Sequence, residues 1–260
     1  MLKILKYSFY DLARSRWTYA YFLFYLLLGF TLLFLNNDLS KAVITLMNVI
    51  VVLVPLIGTV FGLMYYYNSR EFTELLIAQP IKRSSIFLGQ YLGLSASLTA
   101  SLIVGLGLPF AAYGLFRSAA IWDFMLLLYG GAFLTFIFTG LSLNIAISNE
   151  NKIKGFGYAL LMWLFFAVLY DGIFLLALIG FEEYPLDTFS LGAVLLNPID
   201  LTRTLILLKL DISALLGYTG AVFKSFFGTN LGLAISIVML TLWTIIPLGM
   251  FLRKAGRKDF

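Results

Sequence analysis

The run WTYAYFLFYLLLGFTLLFL, residues 17–35, contains no charged side chain. A helix of this length rises about 1.5 Å per residue and reaches across a hydrocarbon core about 30 Å thick. Lys3 and Lys6 precede the run, as at the start of a signal peptide. The run is longer than the apolar part of such a peptide, and no small-x-small cleavage site follows it before Asn36. We therefore predict an uncleaved first transmembrane helix.

The rest of the chain repeats this pattern. Five further apolar runs are separated by short polar segments and cover residues 42–67, 86–116, 122–147, 156–181 and 231–252. Pro55 is expected to kink the second span, and Pro109 is expected to break the third. The pattern predicts an all-α polytopic membrane protein with six transmembrane helices, forming a single domain over residues 1–260.

The composition excludes several classes of function. Hydrophobic residues make up 61% of the 260 residues and charged ones 12%, and there is neither Cys nor His. Soluble domains have about 45–50% apolar and about 25% charged residues. Without Cys and His we expect no disulfide, zinc, haem or thiol chemistry. No Gly-Lys pair occurs, so the chain has no P-loop and is not itself an ATPase.

The distribution of basic residues predicts the orientation in the membrane. On the side of the termini lie 13 of the 18 Lys and Arg residues, namely Lys3, Lys6, Arg14, Arg16, Arg70, Lys82, Arg83, Lys152, Lys154, Arg253, Lys254, Arg257 and Lys258. Positive charge collects in cytoplasmic loops. We therefore expect a multi-pass protein of the cytoplasmic (inner) membrane with both termini in the cytoplasm.

Residues 1–16 have the spacing of an amphipathic helix. Leu2, Leu5, Phe9 and Leu12 recur at helical intervals, and the basic residues fall elsewhere on the helix. We predict an interfacial helix on the cytoplasmic face. The alternative is that these charges only enforce topology.

The polar segment NSREFTELLIAQPIKRSS, residues 68–85, predicts a short cytoplasmic helix. Asn68 or Ser69 can cap its start, Glu71 falls in its first turn, and Pro80 fits its end.

Two sets of side chains on that helix suggest how it is used. Phe72, Leu75 and Leu76 share one face, and Arg70 and Glu74 can pair at i, i+4. An exposed apolar face needs a partner protein. The alternative is a helix packed against its own bundle or the lipid headgroups.

The run ELLIAQPIKR, residues 74–83, resembles the E-L-L-L-A-Q-P-x-x-R signature that follows the second span in permeases of the ABC type-two exporter class. The resemblance implies the type V exporter fold, in which this segment is the coupling helix that docks on a separate ATPase subunit. Phe72 and Thr73 stand where the commoner form has a Gly-Thr pair. The implied ATPase-coupling residues are Arg70, Glu71, Phe72, Glu74, Leu75, Gln79, Pro80 and Arg83.

Residues 182–230 contain no apolar piece long enough to cross the membrane. Asn197 as cap, Pro198 at the first position and Asp200 in the first turn predict a helix of about twelve residues, interfacial or re-entrant on the outer side. A second short piece, residues 212–227, ends at Gly228. The alternative is a long packed loop.

The motifs LLNPIDLTR, residues 195–203, GYTGA, residues 217–221, and FFG, residues 226–228, are similar to the outer segment of the permeases in NosDFY systems, which mature the copper site of nitrous-oxide reductase. The resemblance implies a homodimer bound to two NosF-type ATPase subunits, which carry ATP and Mg²⁺. It also implies a NosD-type periplasmic β-helical protein on the outer face and, indirectly, a NosL-type copper lipoprotein. The residues placed at the outer partner are Asn197, Pro198, Asp200 and Arg203. No metal or cofactor is expected on this chain.

Polar residues within the spans are further candidates. Asp171 lies near the middle of the fifth span, where a charge costs about 2.5–3.5 kcal/mol, so it should face the bundle interior, a wet cavity or a partner. A proton or substrate role and a structural acid bonded to Tyr170 or the outer helices both remain open. Asn48, Gln90 and Asn144 are expected to be interhelical hydrogen-bond partners.

These observations favour the membrane subunit of an ABC complex of the NosDFY kind, which couples ATP hydrolysis to transport or motion. An ABC type-two exporter of a drug, lipid, peptide or ion is the alternative. An integral membrane enzyme is disfavoured, because one buried carboxylate without His, Cys or an acidic pair offers little acid-base chemistry.

Overall fold

The structure is a computed structural model that describes residues 6–10, 15–36, 39–118, 120–181, 186–209 and 220–258. These ranges are almost entirely helical, with short turns and irregular residues between the helices, and they contain no strand. The helices are α1 (Arg16–Leu35), α2 (Leu39–Asn68), α3 (Arg70–Ile77), α4 (Arg83–Ala112), α5 (Ile121–Ser148), α6 (Lys152–Gly180), α7 (Asp187–Leu196), α8 (Pro198–Lys209), α9 (Gly220–Phe227) and α10 (Asn230–Arg257).

The six predicted spans are confirmed. Within the described residues, six helices are long and apolar enough to cross a membrane, and they are α1, α2, α4, α5, α6 and α10. The two described chain ends lie on one side of the bundle, because Tyr65 near the end of α2 is bonded to Ser8 and Arg83 at the start of α4 is bonded to Lys258. We name this side the termini side. Helices α7 and α8 lie on the opposite side. They are bent by 114° at their junction, which is typical of a broken span or of a re-entrant hairpin.

Parts of two predicted segments lie outside the described residues. For the N-terminal amphipathic helix, residues 6–10 are described and helical, and residues 1–5 and 11–14 are not described. Residues 182–185 and 210–219 of the segment before the last span are not described either, so the GYTGA motif lies largely outside the structure.

Local turn and capping chemistry sets the helix ends. The third span was expected to run to residue 116 and to break near Pro109, but α4 contains Pro109 and continues to Ala112. It stops there because Gly114 adopts a left-handed backbone, φ 85°, which favours glycine after a helix. At the start of α6, the Asn151 side chain accepts hydrogen bonds from the backbone N–H groups of Ile153 and Lys154, so this helix begins earlier than its apolar run.

The centre of the bundle is the pair α2 and α5, with α1 packed along α4 and α10 along α5. Small residues allow this close approach. A Cβ added at Gly62 of α2 would collide with the Ser142 hydroxyl of α5. Pro55 lies inside the continuous helix α2. Helices α3 and α7–α9 are therefore carried on a closely packed core.

Helix α6 lies at the edge of this bundle. Only 6% of its apolar window is buried, compared with 61% for α5. It changes from α-helix to a π-helical turn at Phe165–Leu169 and returns to α-helix at Tyr170. No side chain of Tyr170–Gly180 is buried. The half of α6 on the opposite side is thus attached to the protein by few contacts.

Candidate functional sites

The short helix α3 lies on the termini side, where the coupling segment was predicted. Its predicted ion pair is present, because Arg70 Nε lies 2.9 Å from Glu74 Oε1. This hydrogen bond with Glu74 raises the pKa of Arg70 above its usual value. The predicted helix is confirmed in position, and it ends at Ile77, before Pro80.

The predicted capping of α3 is only partly right, because Ser69 does occupy the position before the helix and Glu71 its first turn. Asn68 belongs to α2, and the Ser69 side chain makes no cap hydrogen bond. Instead, Ser69 Oγ donates to the Tyr65 carbonyl at 2.7 Å. The reason is that α2 and α3 follow each other so closely that the Ser69 hydroxyl finds an acceptor in the preceding helical turn, as Ser often does.

One side of α3 is anchored to the bundle by a buried hydrogen bond. Gln90 Nε2 of α4 donates to Thr73 Oγ1 at 2.8 Å, and both side chains are buried. Gln90 is therefore an interhelical partner, as expected. Thr73 was not singled out from the sequence, because a threonine in a short polar segment carries no signal of burial.

The apolar face predicted on α3 is divided between two surroundings. The Phe72 ring stacks on Tyr7 of the N-terminal helical segment, with centroids 4.9 Å apart. Leu75 is 68% exposed. One side of α3 thus packs on its own chain and the other faces outward, and the expected contact with a partner protein stays a prediction. The exposed residues Glu71, Leu75, Gln79 and Pro80 form what we call the α3 surface.

Arg83, one of the predicted ATPase-coupling residues, makes a hydrogen bond within this chain. Its Nη1 donates to the Lys258 carbonyl at 3.0 Å, which joins the start of α4 to the end of α10. In the same region Tyr65 donates to Ser8 Oγ at 3.1 Å. These contacts place the N-terminal segment, α3 and the end of α10 together on the termini side.

A network of charged side chains lies on the opposite side. Arg203 Nη1 of α8 lies 2.9 Å from Asp171 Oδ2 of α6 and 3.2 Å from Asp200 Oδ1. Asn197 Nδ2 donates to Asp200 Oδ2 at 2.7 Å and to the Phe166 carbonyl, in the π-helical turn of α6, at 2.9 Å. The network therefore joins α6 to the α7–α8 hairpin.

Asp171 is bonded to an outer helix, one of the arrangements that the sequence left open. Its neighbour Tyr170 donates to the Ala193 carbonyl of α7 at 2.7 Å. The pairing of Asp171 with Arg203 could not be read from the sequence, because the two residues are 32 positions apart on different helices. Asn197 caps α8 as predicted, since its Oδ1 accepts from the Ile199 N–H at 3.0 Å.

The predicted outer-partner contacts need a correction. Asn197 and Pro198 are buried in the protein, so these two side chains do not form an outer surface. Asp200 and Arg203 turn toward α6, and 13% and 28% of their side chains are exposed. The sequence could not show this, because capping residues at the start of a re-entrant helix look the same whether the helix faces solvent or its own bundle.

Of the remaining polar residues in the spans, Asn144 fits its prediction and Asn48 does not. Asn144 Nδ2 donates to the Pro247 carbonyl of α10 and to the Gly140 carbonyl of its own helix. Asn48 is exposed, and its one hydrogen bond within the described part of the chain is to the Ile44 carbonyl of its own helix, at 3.5 Å. Its place on α2 faces away from the neighbouring helices. Among the described residues no group of three or more Asp, Glu, His or Cys could hold a metal ion.

A cavity of about 300 Å³ adjoins the charged network. It is lined by Asp171, Asp200 and Arg203 and by mostly apolar side chains of α6, α7, α8 and α9. The aromatic members Phe174 and Phe223 were not predicted, because apolar residues in apolar segments give no sign of a cavity.

Comparison with known proteins supports the resemblance read from the motifs. No family model matches the chain. The chain is 23% identical to the "Probable ABC transporter permease protein NosY" of Stutzerimonas stutzeri, over 94% of this chain and 93% of that protein. This chain is accordingly a multi-pass helical membrane protein that is similar, along nearly its whole length, to the ABC transporter permease NosY.

Proposed function

We propose that this chain is the permease subunit of an ABC transporter and that a separate ATPase subunit docks on the α3 surface. The observation that carries this proposal is the combination of a buried anchor and an exposed apolar side chain on one short helix. Thr73 is bonded to Gln90 inside the bundle, and Leu75, two positions on, is 68% exposed. Motion of a partner bound to Leu75 would therefore be transmitted to α4 through the buried hydrogen bond between Thr73 and Gln90.

Several contacts favour α3 as a stiff connector. It follows α2 after the single residue Ser69, and Ser69 and Thr73 are both hydrogen-bonded to the backbone of the preceding turn. The Arg70–Glu74 pair is about 40% exposed on each side chain, so it contributes little to stability. The pair does hold two charged groups beside the α3 surface, where they could contact a partner protein.

The finer parts of the proposal come from the motifs and the NosY-named relative. We propose a homodimer in the cytoplasmic membrane with both termini in the cytoplasm, bound to two NosF-type ATPase subunits. A NosD-type periplasmic protein would sit on the side of α7–α9, and the complex would serve copper-site assembly of nitrous-oxide reductase. The exposed flank of α6 is compatible with contact to a second copy.

A co-purification experiment tests the ATPase contact. The chain is co-expressed with its ATPase subunit, and the amount of ATPase recovered per permease is compared for Leu75→Asp and Phe116→Asp. Phe116 is 70% exposed and lies beyond the opposite end of α4, so it is a matched control for the charge change. We expect roughly a tenfold or greater loss for Leu75→Asp, as for a central interface side chain, and no loss for Phe116→Asp. Equal recovery with both variants would overturn the docking proposal.

A further inference from the structure

Two carboxyl groups and one guanidinium group meet where α6 contacts the α7–α8 hairpin. Arg203 Nη1 lies 2.9 Å from Asp171 Oδ2 and 3.2 Å from Asp200 Oδ1. The two carboxyl groups are also hydrogen-bonded to each other. An ionised carboxylate can only accept hydrogen bonds, whereas a protonated one can donate its O–H. A hydrogen bond between two carboxyl groups therefore requires a proton on one of them.

The surroundings favour Asp200 as the carboxyl group that holds this proton. Only 13% of its side chain is exposed, compared with 35% of the Asp171 side chain. Burial, together with the hydrogen bond and the charge of Asp171, raises the pKa of Asp200 to about 8. Arg203 lies closer to Asp171, as an ionised partner requires. Near neutral pH Asp200 is then mostly a neutral acid.

With one proton bound, the charges of this site balance. When Asp200 is neutral, the ionised Asp171 faces the cationic Arg203, and their sum is zero. Charged groups within a membrane protein are costly, and they pair with one another. Without the proton, two carboxylates would share one guanidinium nitrogen and repel each other. The observed bonds therefore fit the protonated form of the pair.

The other titratable groups near the pair are few in the described part of the chain. Besides the three network residues, Tyr170 is the titratable side chain that lines the adjoining cavity, and its hydroxyl donates to the Ala193 carbonyl. The charges of α10 lie at its termini-side end. Charged residues on the other helices packed against α8 lie outside the cavity lining, and they are Lys41, Asp123, Asp187 and Lys224. A change of charge at this site near neutral pH is therefore expected from the carboxyl pair.

The segment Tyr170–Gly180 of α6 has few other attachments. It contains no buried side chain. It is bonded to the hairpin by Asp171, through Arg203, and by the hydroxyl of Tyr170. The π-helical turn precedes it, and such turns interrupt the regular helix and often occur at functional sites. Repulsion between two carboxylates would thus act on a segment that few contacts hold.

We propose that Asp171 and Asp200 form a proton-binding pair, and that loss of its proton to the solvent loosens Tyr170–Gly180 from the α7–α8 hairpin. The O–H bond of Asp200 breaks and leaves a second carboxylate beside Asp171, while Arg203 keeps its single positive charge. The proposal does not depend on an ATPase contact at α3, so either one can fail without the other.

An infrared titration tests whether the pair holds a proton. The unaltered protein in phosphatidylcholine nanodiscs is brought from about pH 6 to about pH 9.5, and the absorption of protonated carboxyl groups is recorded. Ordinary Asp and Glu side chains are ionised throughout this range, so they contribute no change. We expect the loss of one protonated carboxyl group per chain, with a midpoint at about pH 8. Absence of this loss would overturn the proposal.

Two variants assign the proton to the pair. Asp200→Asn replaces the acid by a neutral group of the same shape and should abolish the infrared change. Asp187→Asn removes an exposed carboxylate at the start of α7, outside the cavity, and should keep the change. Equal changes in the two variants would overturn the assignment. The titration of the unaltered protein needs neither variant, so it decides whether a proton is bound even if Asp200→Asn fails to fold.

A distance measurement tests the loosening of α6. Ile179 on α6 and Leu196 at the end of α7 are 69% and 61% exposed, so each can be replaced by cysteine and carry a spin label. Labelled chains are diluted with unlabelled ones, so that distances between copies do not contribute. We expect one narrow distance at about pH 6 and a longer, broader distribution at about pH 9.5. Adding Asp200→Asn should keep the narrow distribution at both pH values. Identical distributions at the two pH values in the chain that retains Asp200 would overturn the loosening.

Discussion

At the residue scale, the bond between Thr73 and Gln90 is the contact through which α3 would act on the bundle. Replacing Thr73 by Val removes the acceptor and leaves the Gln90 amide buried without this partner, which costs about 1–3 kcal/mol. We expect Thr73→Val to keep the ATPase bound but to lower the ATPase activity stimulated by the permease. Thr73→Ser keeps the hydroxyl and is the control. Unchanged stimulation in Thr73→Val, measured in the reconstituted complex, would contradict the role given to this bond.

Arg203 is expected to matter more for stability than either of its acidic partners. Arg203→Leu leaves Asp171 and Asp200 without their shared guanidinium, at an expected cost of about 1–3 kcal/mol, reduced by the partial solvent access of the network. Asp171→Asn keeps a hydrogen-bonding group and should cost less. Thermal unfolding midpoints in detergent would rank the variants. A midpoint for Arg203→Leu equal to that of the unaltered protein would mean that the network does not hold α8 to α6.

Single residues also show what local sequence can predict. The Arg70–Glu74 pair and the Asn197 cap follow from spacing within one helical turn, and both are present. The burial of Asn197, and the bond between Asp171 and Arg203, depend on how distant helices pack. Spacing along the chain carries no information about such contacts.

At the element scale, the close approach of α2 and α5 depends on glycine. A Cβ at Gly62 would occupy the position of the Ser142 hydroxyl, whereas a Cβ at Gly107 of α4 would meet nothing within 4 Å. We expect Gly62→Val to cost about 1–3 kcal/mol through overpacking and to lower the yield of folded protein. Gly107→Val makes the same change in helix propensity and should be tolerated. Fluorescence-detected gel filtration would compare them, and equal yields would contradict this account of the α2–α5 contact.

The helices themselves were predictable, and their ends and surroundings were less so. Apolar length was enough to find all six spans. The end of α4 at Ala112 depends on the left-handed Gly114, and the start of α6 on the Asn151 cap. The division of the α3 face between Tyr7 and the outside could not be predicted, because it requires knowing where the N-terminal segment lies.

At the scale of the whole molecule, hydropathy predicted which segments cross the membrane but not which of them pack against other helices. The mean hydropathy of α6 is 2.2 and that of α2 is 2.5, yet 6% of the first window and 50% of the second are buried. Lipid and a protein core are equally apolar, so side chains that face either one look alike in sequence. Only the three-dimensional packing shows that α6 lies at the edge.

The position of α6 leads to a prediction about the proposed homodimer. The chain contains no cysteine, so a single introduced cysteine cannot form a disulfide within one copy, and a cross-linked product of twice the chain mass reports contact between two copies. Leu176 on α6 is 71% exposed, and Phe34 on α1, at the same end of the bundle, is 79% exposed. If two copies meet along α6, Leu176→Cys should cross-link in native membranes under mild oxidation, and Phe34→Cys should not. A disulfide needs Cα atoms within about 7 Å of each other, so the reaction reports direct contact. Cross-linking of both variants to the same extent would indicate random collision, and cross-linking of Phe34→Cys alone would move the interface to α1.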